Sequence, residues 1–241
     1  MRRIVLPAVL VILALAGCGG GSTADTVTTA PGPPAKTYPL EPAAGELLTR
    51  FVDAAAKGDT GALFGMLTAR AQAVYGPTAD AFAKTVGKEL TDGVGAFRRE
   101  GAFEVALSVR ATPEWAVAVI AGSITHEGQT AYGAYGLPAR KEGGAWKLEL
   151  GGSVGFSPIS PDEQLTTDST PQIATELSAN EPILEFAIWV DRTAIESQVS
   201  ADSLLMNGEV TTPIPPGRHT AVTFAATESS AGVNAFSFTS K

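Results

Sequence analysis

Cysteine is nearly absent from this chain: 241 residues contain one, Cys18. An intrachain disulfide is therefore excluded. Histidine is almost as scarce, with only His126 and His219, so a zinc site of thiolates and imidazoles has nothing to build from. No D-x-D-x-D-G calcium loop occurs, although an acidic surface leaves weaker calcium binding open. Apolar runs of spanning length are also missing. The longest, residues 4–15, is about a dozen residues interrupted by Pro7, where a transmembrane helix needs ~20. Finally, there is no excess of positive charge. Seventeen Lys and Arg face 25 Asp and Glu, for a net charge of −8, which argues against nucleic acid as a partner.

What is present begins with the surroundings of that single thiol. Arg2 and Arg3 precede the apolar run, and Leu15-Ala16-Gly17-Cys18 closes it. A charged start, a short apolar stretch and a small-residue end form a secretory signal. The closing tetrapeptide resembles the lipobox of bacterial lipoproteins. That resemblance implies a signal peptide over residues 1–17, diacylglycerol on the Cys18 sulfur and cleavage before Cys18. The expected location is the extracytoplasmic face of the cell membrane, lipid-anchored, since two or more acyl chains hold a protein stably. Residues 18–41 are dominated by Gly, Ser, Thr, Ala and Pro. They lack a period and bury little, and so read as a flexible tether.

The remainder divides by charge. Residues 42–152 carry 11 basic against 12 acidic residues, and residues 153–241 carry 3 against 11. Gly and Pro cluster at residues 151–161, where we expect the boundary between two domains, 42–152 and 158–241.

The first of these opens with helical periodicity. Leu47, Leu48, Phe51, Val52 and Ala55 fall on one stripe, with Pro42 suited to the first turn and Gly58 to the end. Asp59 is placed to cap a second helix over 60–67, and a third is expected over 78–90. The pattern then changes to period two. Phe103, Val105, Leu107 and Val109 alternate onto one face, Trp115, Val117 and Val119 alternate in the next strand, and strands over 129–142 and 145–150 follow. Helices followed by an antiparallel sheet give an α+β domain. The sequence "FVDAAAKGDTGALFGML" and the closing W-K-L strand resemble the NTF2-like fold, a cone of helices on a curved sheet. That family contains isomerases, dehydratases and many domains without chemistry, so the resemblance implies a shape and leaves activity open.

A catalytic acid–base pair is not visible in the cone. Asp53 lies off the apolar stripe, His126 falls in the HEGQ turn at 126–129, and Glu104 alternates away from the apolar face. Catalytic, cofactor and metal residues are therefore expected to be none. Trp115 and Tyr132 are the residues we assign as pocket lining, should the cone be open. Filling by Phe103, Trp115 and Trp146 is the expected alternative, and a bulge at Gly122 or Gly133 would turn later side chains over.

After residue 157 the signal is short strands and turns. Leu184, Phe186, Ile188 and Val190 share a face with Trp189 opposite, and Asn207-Gly208 is a strong turn signal. Strands are expected over 219–226 and 233–239. The "PPGRHT" turn, the "WVD" strand end and the closing "AFSFTS" strand resemble bacterial immunoglobulin-like domains, implying an all-β sandwich. His219, at a strand entry, reads as a hydrogen-bonded or exposed side chain. Together these features describe a non-catalytic binding or accessory module of the cell envelope, meeting the membrane through Cys18 and an envelope protein, polymer or small ligand elsewhere. A small-molecule enzyme and an apolar-ligand carrier, both using the cone, are the alternatives.

Overall fold

A computed structural model describes residues 36–126, 129–161, 165–202 and 204–241. Cys18, residues 1–17 read as a signal peptide and most of residues 18–41 read as a tether lie outside the described residues.

The helices come first and follow from local signals. α1, Pro42–Lys57, starts on proline and ends at Gly58 in the left-handed conformation, with Leu47, Leu48, Phe51, Val52 and Ala55 buried. α2, Thr60–Gly65, is capped as expected by Asp59, whose carboxylate accepts from the Ala62 N–H at 2.9 Å. Two helices carry no strong apolar period and were not anticipated: α3, Ala69–Tyr75, and α6, Val94–Glu100. Between them lie α4, Ala79–Phe82, a π-helical turn over Ala83–Gly87, and α5, Lys88–Asp92.

β1, Gly101–Arg110, β2, Trp115–His126, β3, Gln129–Glu142, and β4, Ala145–Leu148, form an antiparallel meander in sequential order. One expectation about it fails. Phe103 and Val105 do not share a face with Leu107 and Val109. Val105 pairs with Ile120 and Leu107 with Val119, leaving Ala106 as an extra residue. A bulge of this kind shifts side-chain parity by one. Phe103 and Val105 therefore pack with α1, while Leu107 and Val109 pack on the other side. The parity change falls in β1, not at Gly122 or Gly133, which pair with each other in unbroken register.

The second half supplies two further sheets. β5, Gly155–Ser160, β7, Gln172–Ser178, β10, Ser197–Val199, and β11, Leu205–Glu209, make one, in the order β10-β11-β7-β5. β6, Leu165–Thr166, β8, Glu185–Val190, β9, Thr193–Ile195, β12, Gly217–Ala226, and β13, Ala231–Ser240, make the other, in the order β6-β13-β12-β8-β9. Asn207-Gly208, expected as a turn, sits inside β11, paired with Gln198 and Ser197 on one side and Ala174 and Ile173 on the other. Packing explains the exception. A Cβ on Gly208 would lie 2.6 Å from the Glu196 carbonyl oxygen, so the glycine admits a neighbouring backbone.

The layers stack as helices, four-stranded sheet, five-stranded sheet and outer four-stranded sheet. Three apolar cores separate them. The five-stranded sheet is thus covered on both faces, and β12 is buried continuously from His219 to Ala226. Such a strand reads as an unbroken run of apolar and small residues rather than an alternating one. The architecture is α+β: a short helical region followed by mainly antiparallel sheet.

Candidate functional site

The segment read as the end of the tether is part of the structure. Tyr38, Pro39, Leu40 and Glu41 run along the free edge of β1. Leu40 forms a bridge with Val109, the Arg110 N–H donates to the Pro39 carbonyl at 2.8 Å, and the Glu41 N–H donates to the Ser108 carbonyl at 3.0 Å. Ser108 fastens the start of α1 as well. Its hydroxyl donates to the Glu41 carbonyl at 2.5 Å and accepts from the Gly45 N–H at 2.9 Å. Arg110 Nε donates to Glu41 Oε2 at 2.9 Å.

Further along the same edge, Arg192 takes over. It occupies the two-residue turn Asp191-Arg192 between β8 and β9. Its Nε donates to the Ala106 carbonyl at 3.2 Å and its Nη2 to the Val105 carbonyl at 3.3 Å. The turn is held from below by His219, which is 5% exposed. His219 Nδ1 meets Asp191 Oδ2 at 2.9 Å, and Nε2 donates to the Pro215 carbonyl at 2.9 Å. Asp191 Oδ1 accepts from the Thr220 N–H at 2.9 Å, with Asp191 itself at φ 54°. His219 is therefore the hydrogen-bonded residue its position suggested, and it positions Arg192.

Between these two fasteners lies a cleft of about 530 Å³. Trp189 forms its floor, with Leu107, Val109 and Ala194 around it and Leu40, 75% exposed, at the mouth. The Tyr38 ring meets Trp189 edge-on, centroids 5.0 Å apart. Burial, then the nearby Glu185 carboxylate, raises the Tyr38 hydroxyl above its ordinary pKa. Among the described residues no carboxylate lines this cleft, and its charged members are Lys36 and Arg192. A second, shallower hollow of about 640 Å³ lies beside α1 around Glu46, Thr49 and Arg50.

The residues singled out from sequence are elsewhere. Trp115 is 3% exposed within the core between the β1–β4 sheet and the five-stranded sheet, under the Arg140 guanidinium at 5.3 Å from its ring centre. Tyr132 is 46% exposed, with the Arg218 guanidinium stacked 3.7 Å above it. Neither lines either hollow. Glu104 is exposed. His126 ends β2, opposite Gln129. Asp53 is half-buried and accepts from Arg98 Nε on α6 at 2.8 Å.

One buried acidic group escaped the strand alternation. Glu149, just beyond β4, is 2% exposed. Its Oε2 accepts from the Thr68 hydroxyl at 2.5 Å, and its Oε1 is held by Arg70. Thr68 also caps α3, accepting from the Ala71 N–H at 3.1 Å. Both carboxylate oxygens are occupied, and neither hollow reaches the cluster. The arrangement docks α3 onto the sheet. Tyr135 lies on the same side of the sheet, its hydroxyl pKa pushed up by burial and by neighbouring Tyr75.

The cleft is not visible in the sequence because it joins Lys36, Thr37, Tyr38 and Leu40, from the segment read as tether, and Arg192, from a turn, to strand residues of β1, β8 and β9 that are distant in the chain. The signal available was Tyr38-Pro39-Leu40, two large apolar residues in an otherwise small and polar stretch.

Comparison with protein-family models and with curated proteins finds no match to this chain.

Proposed function

We propose that this chain is a bacterial envelope lipoprotein, anchored through diacylated Cys18 on the extracytoplasmic face of the cell membrane, that works by binding rather than by catalysis. In this reading residues 42–152 are an NTF2-like half and residues 158–241 an immunoglobulin-like half. The ligand enters the cleft at the β1 edge, not the interior of a cone. One observation carries it: both faces of the four-stranded sheet are occupied by buried side chains, α1 on one and β8, β12 and β13 on the other, while the apolar cleft at its edge opens to solvent. Its volume lies within the ~300–1,000 Å³ of small-molecule sites.

Two measurements test the reading. Metabolic labelling with an alkyne palmitate should mark the wild type and miss Cys18→Ser; equal membrane fractionation without label would remove the anchor. N-phenylnaphthylamine, a neutral apolar fluorophore, should bind the purified chain saturably. Ala194→Trp, which fills the cleft, should abolish that binding. An unchanged signal in this variant would place the binding surface elsewhere.

A further inference from the structure

We infer that the cleft at the β1 edge takes a single-chain amphiphile with an anionic head, a long-chain carboxylate being the simplest case. The inference rests on the binding-module reading and specifies its ligand class. The accessible apolar lining of Tyr38, Leu40, Val105 and Ala194, backed by the buried Trp189, Leu107 and Val109, fits a hydrocarbon chain, and the charge at the rim fits the head. The molecule as a whole carries a net charge of −8, yet among the described residues no Asp or Glu lines this cleft and both charged lining residues are cations. Lys36 has one carboxylate near it, Glu185 at 3.5 Å, with both side chains well exposed. Arg192 has none among the described residues.

Arg192 is held for this task. Nε and Nη2 are spent on the β1 carbonyls, which fixes the guanidinium plane at the rim. Nη1 has no acceptor among the described residues. A fixed guanidinium is a better carboxylate partner than a free lysine, because its donors are already oriented. The same two bonds, with residues 39–41 further along, occupy the outward carbonyls of β1 at Val105, Ala106 and Ser108. An extended peptide seeking to add to this edge therefore meets partners already in place. A side-chain-lined apolar slot remains, and a hydrocarbon chain needs no hydrogen bonds from it.

The test uses the chain from Gly19 onward, which retains every described element and all three cores. Dodecanoate, dodecanol and dodecyltrimethylammonium, each below its micelle-forming concentration, compete against bound N-phenylnaphthylamine. We expect dodecanoate to displace the probe at about tenfold lower concentration than dodecanol, with the cationic amphiphile weakest. Arg192→Gln should erase the advantage of dodecanoate while keeping the probe bound. Lys36→Gln, which touches no backbone, should shrink that advantage about two- to threefold. Equal displacement by all three amphiphiles overturns the inference and leaves the binding reading intact. So does a carboxylate advantage unchanged in both variants. Should Arg192→Gln lose the probe by disturbing the β8–β9 turn, the wild-type ranking and Lys36→Gln decide alone. Failure of the wild type to bind the probe at all would overturn the binding reading itself.

Discussion

The two faces of the first four-stranded sheet are closed by different kinds of element. On the helix side the strands present a mixed surface, small at Ala116, Ala118 and Ala139 and large at Ile120, Leu137 and Leu148, to Leu48 and Phe51 of α1. On the other side they present Trp115, Val117 and Val119 to Trp189, Val222 and Phe224 of the five-stranded sheet. Two sheets stack about 10 Å apart and need long side chains from both to fill the gap. The comparison teaches that the outward face of the first half is a core in its own right. Two halves of very different charge share one apolar layer.

The most severe test of that statement is Trp189→Ala. Truncating a large buried aromatic costs about 3–5 kcal/mol, and Trp189 is 1% exposed between the sheets. Phe51→Ala, on the helix side, should cost a similar amount. If the shared layer couples the halves, each variant lowers a single denaturation midpoint seen alike by far-UV circular dichroism and tryptophan fluorescence. Two separate transitions, with each substitution moving only one, would show that the faces are energetically independent. Next in size is Glu149→Ala. Removing one partner of a fully buried ion pair costs about 3–5 kcal/mol. Arg70 is 30% exposed along its side chain and regains water, so we expect about 2–3 kcal/mol, together with loss of α3 protection in hydrogen exchange. Gly136→Ala follows. Its new Cβ would lie 2.8 Å from Val233 Cγ1 and 2.9 Å from Val119 Cγ2, and overpacking of this kind costs about 1–3 kcal/mol. A neutral result would mean that the two sheets separate more readily than their shared core suggests.

The helix-side face was largely legible in the sequence, and the sheet-side face was not. α1 announces itself through its stripe, its proline and its glycine, and the four strands of the first sheet are bounded within a few residues. These are local signals. The bulge at Ala106 leaves no local mark: Val105-Ala106-Leu107 reads equally well as straight strand, and the parity change appears only when β2 is laid beside it. Trp189 alternates away from Phe186 and Ile188 and so reads as outward, which is correct for its own sheet. That a second sheet lies on that side is tertiary information. Gly208 illustrates the same limit, since Asn-Gly signals a turn unless a neighbouring backbone requires a missing Cβ. Glu149 has no sequence signal of its own: a strand carried on to Leu150 places it on the face opposite Trp146 and Leu148, whereas β4 ends at Leu148 and the chain turns its carboxylate inward. For the cleft, Tyr38 and Leu40 were visible as exceptions in composition, but Arg192 gains its role only from the fold of the β8–β9 turn.

The smallest expected effect at neutral pH separates the two faces by protonation. Tyr135 lies on the helix side of β3, enclosed with Tyr75. Burial first, and Tyr75 second, raise its hydroxyl pKa from the ordinary 10.0. Tyr75 is raised as well, chiefly by burial, with Arg70 opposing and Glu149 and Glu89 adding to the rise. When the folded-state pKa of an acid lies above its unfolded value, the folded chain holds the proton longer. The resulting stability is complete below the unfolded pKa and is lost as pH rises through the folded one. Stability should therefore be flat in this respect up to about pH 10 and fall above it. Tyr135→Phe should change stability by less than about 1 kcal/mol at pH 7, since its hydroxyl has no hydrogen-bond partner among the described residues, yet flatten the alkaline decline, because phenylalanine has no proton to lose. Tyr75→Phe should flatten it less, since Arg70 opposes the rise at Tyr75 and nothing opposes it at Tyr135. Urea midpoints measured from pH 8 to pH 11 for the wild type and both variants decide the matter. A decline equally steep in Tyr135→Phe would mean that the helix-side face admits water to this hydroxyl, and that the face is less tightly closed than its sheet-side counterpart.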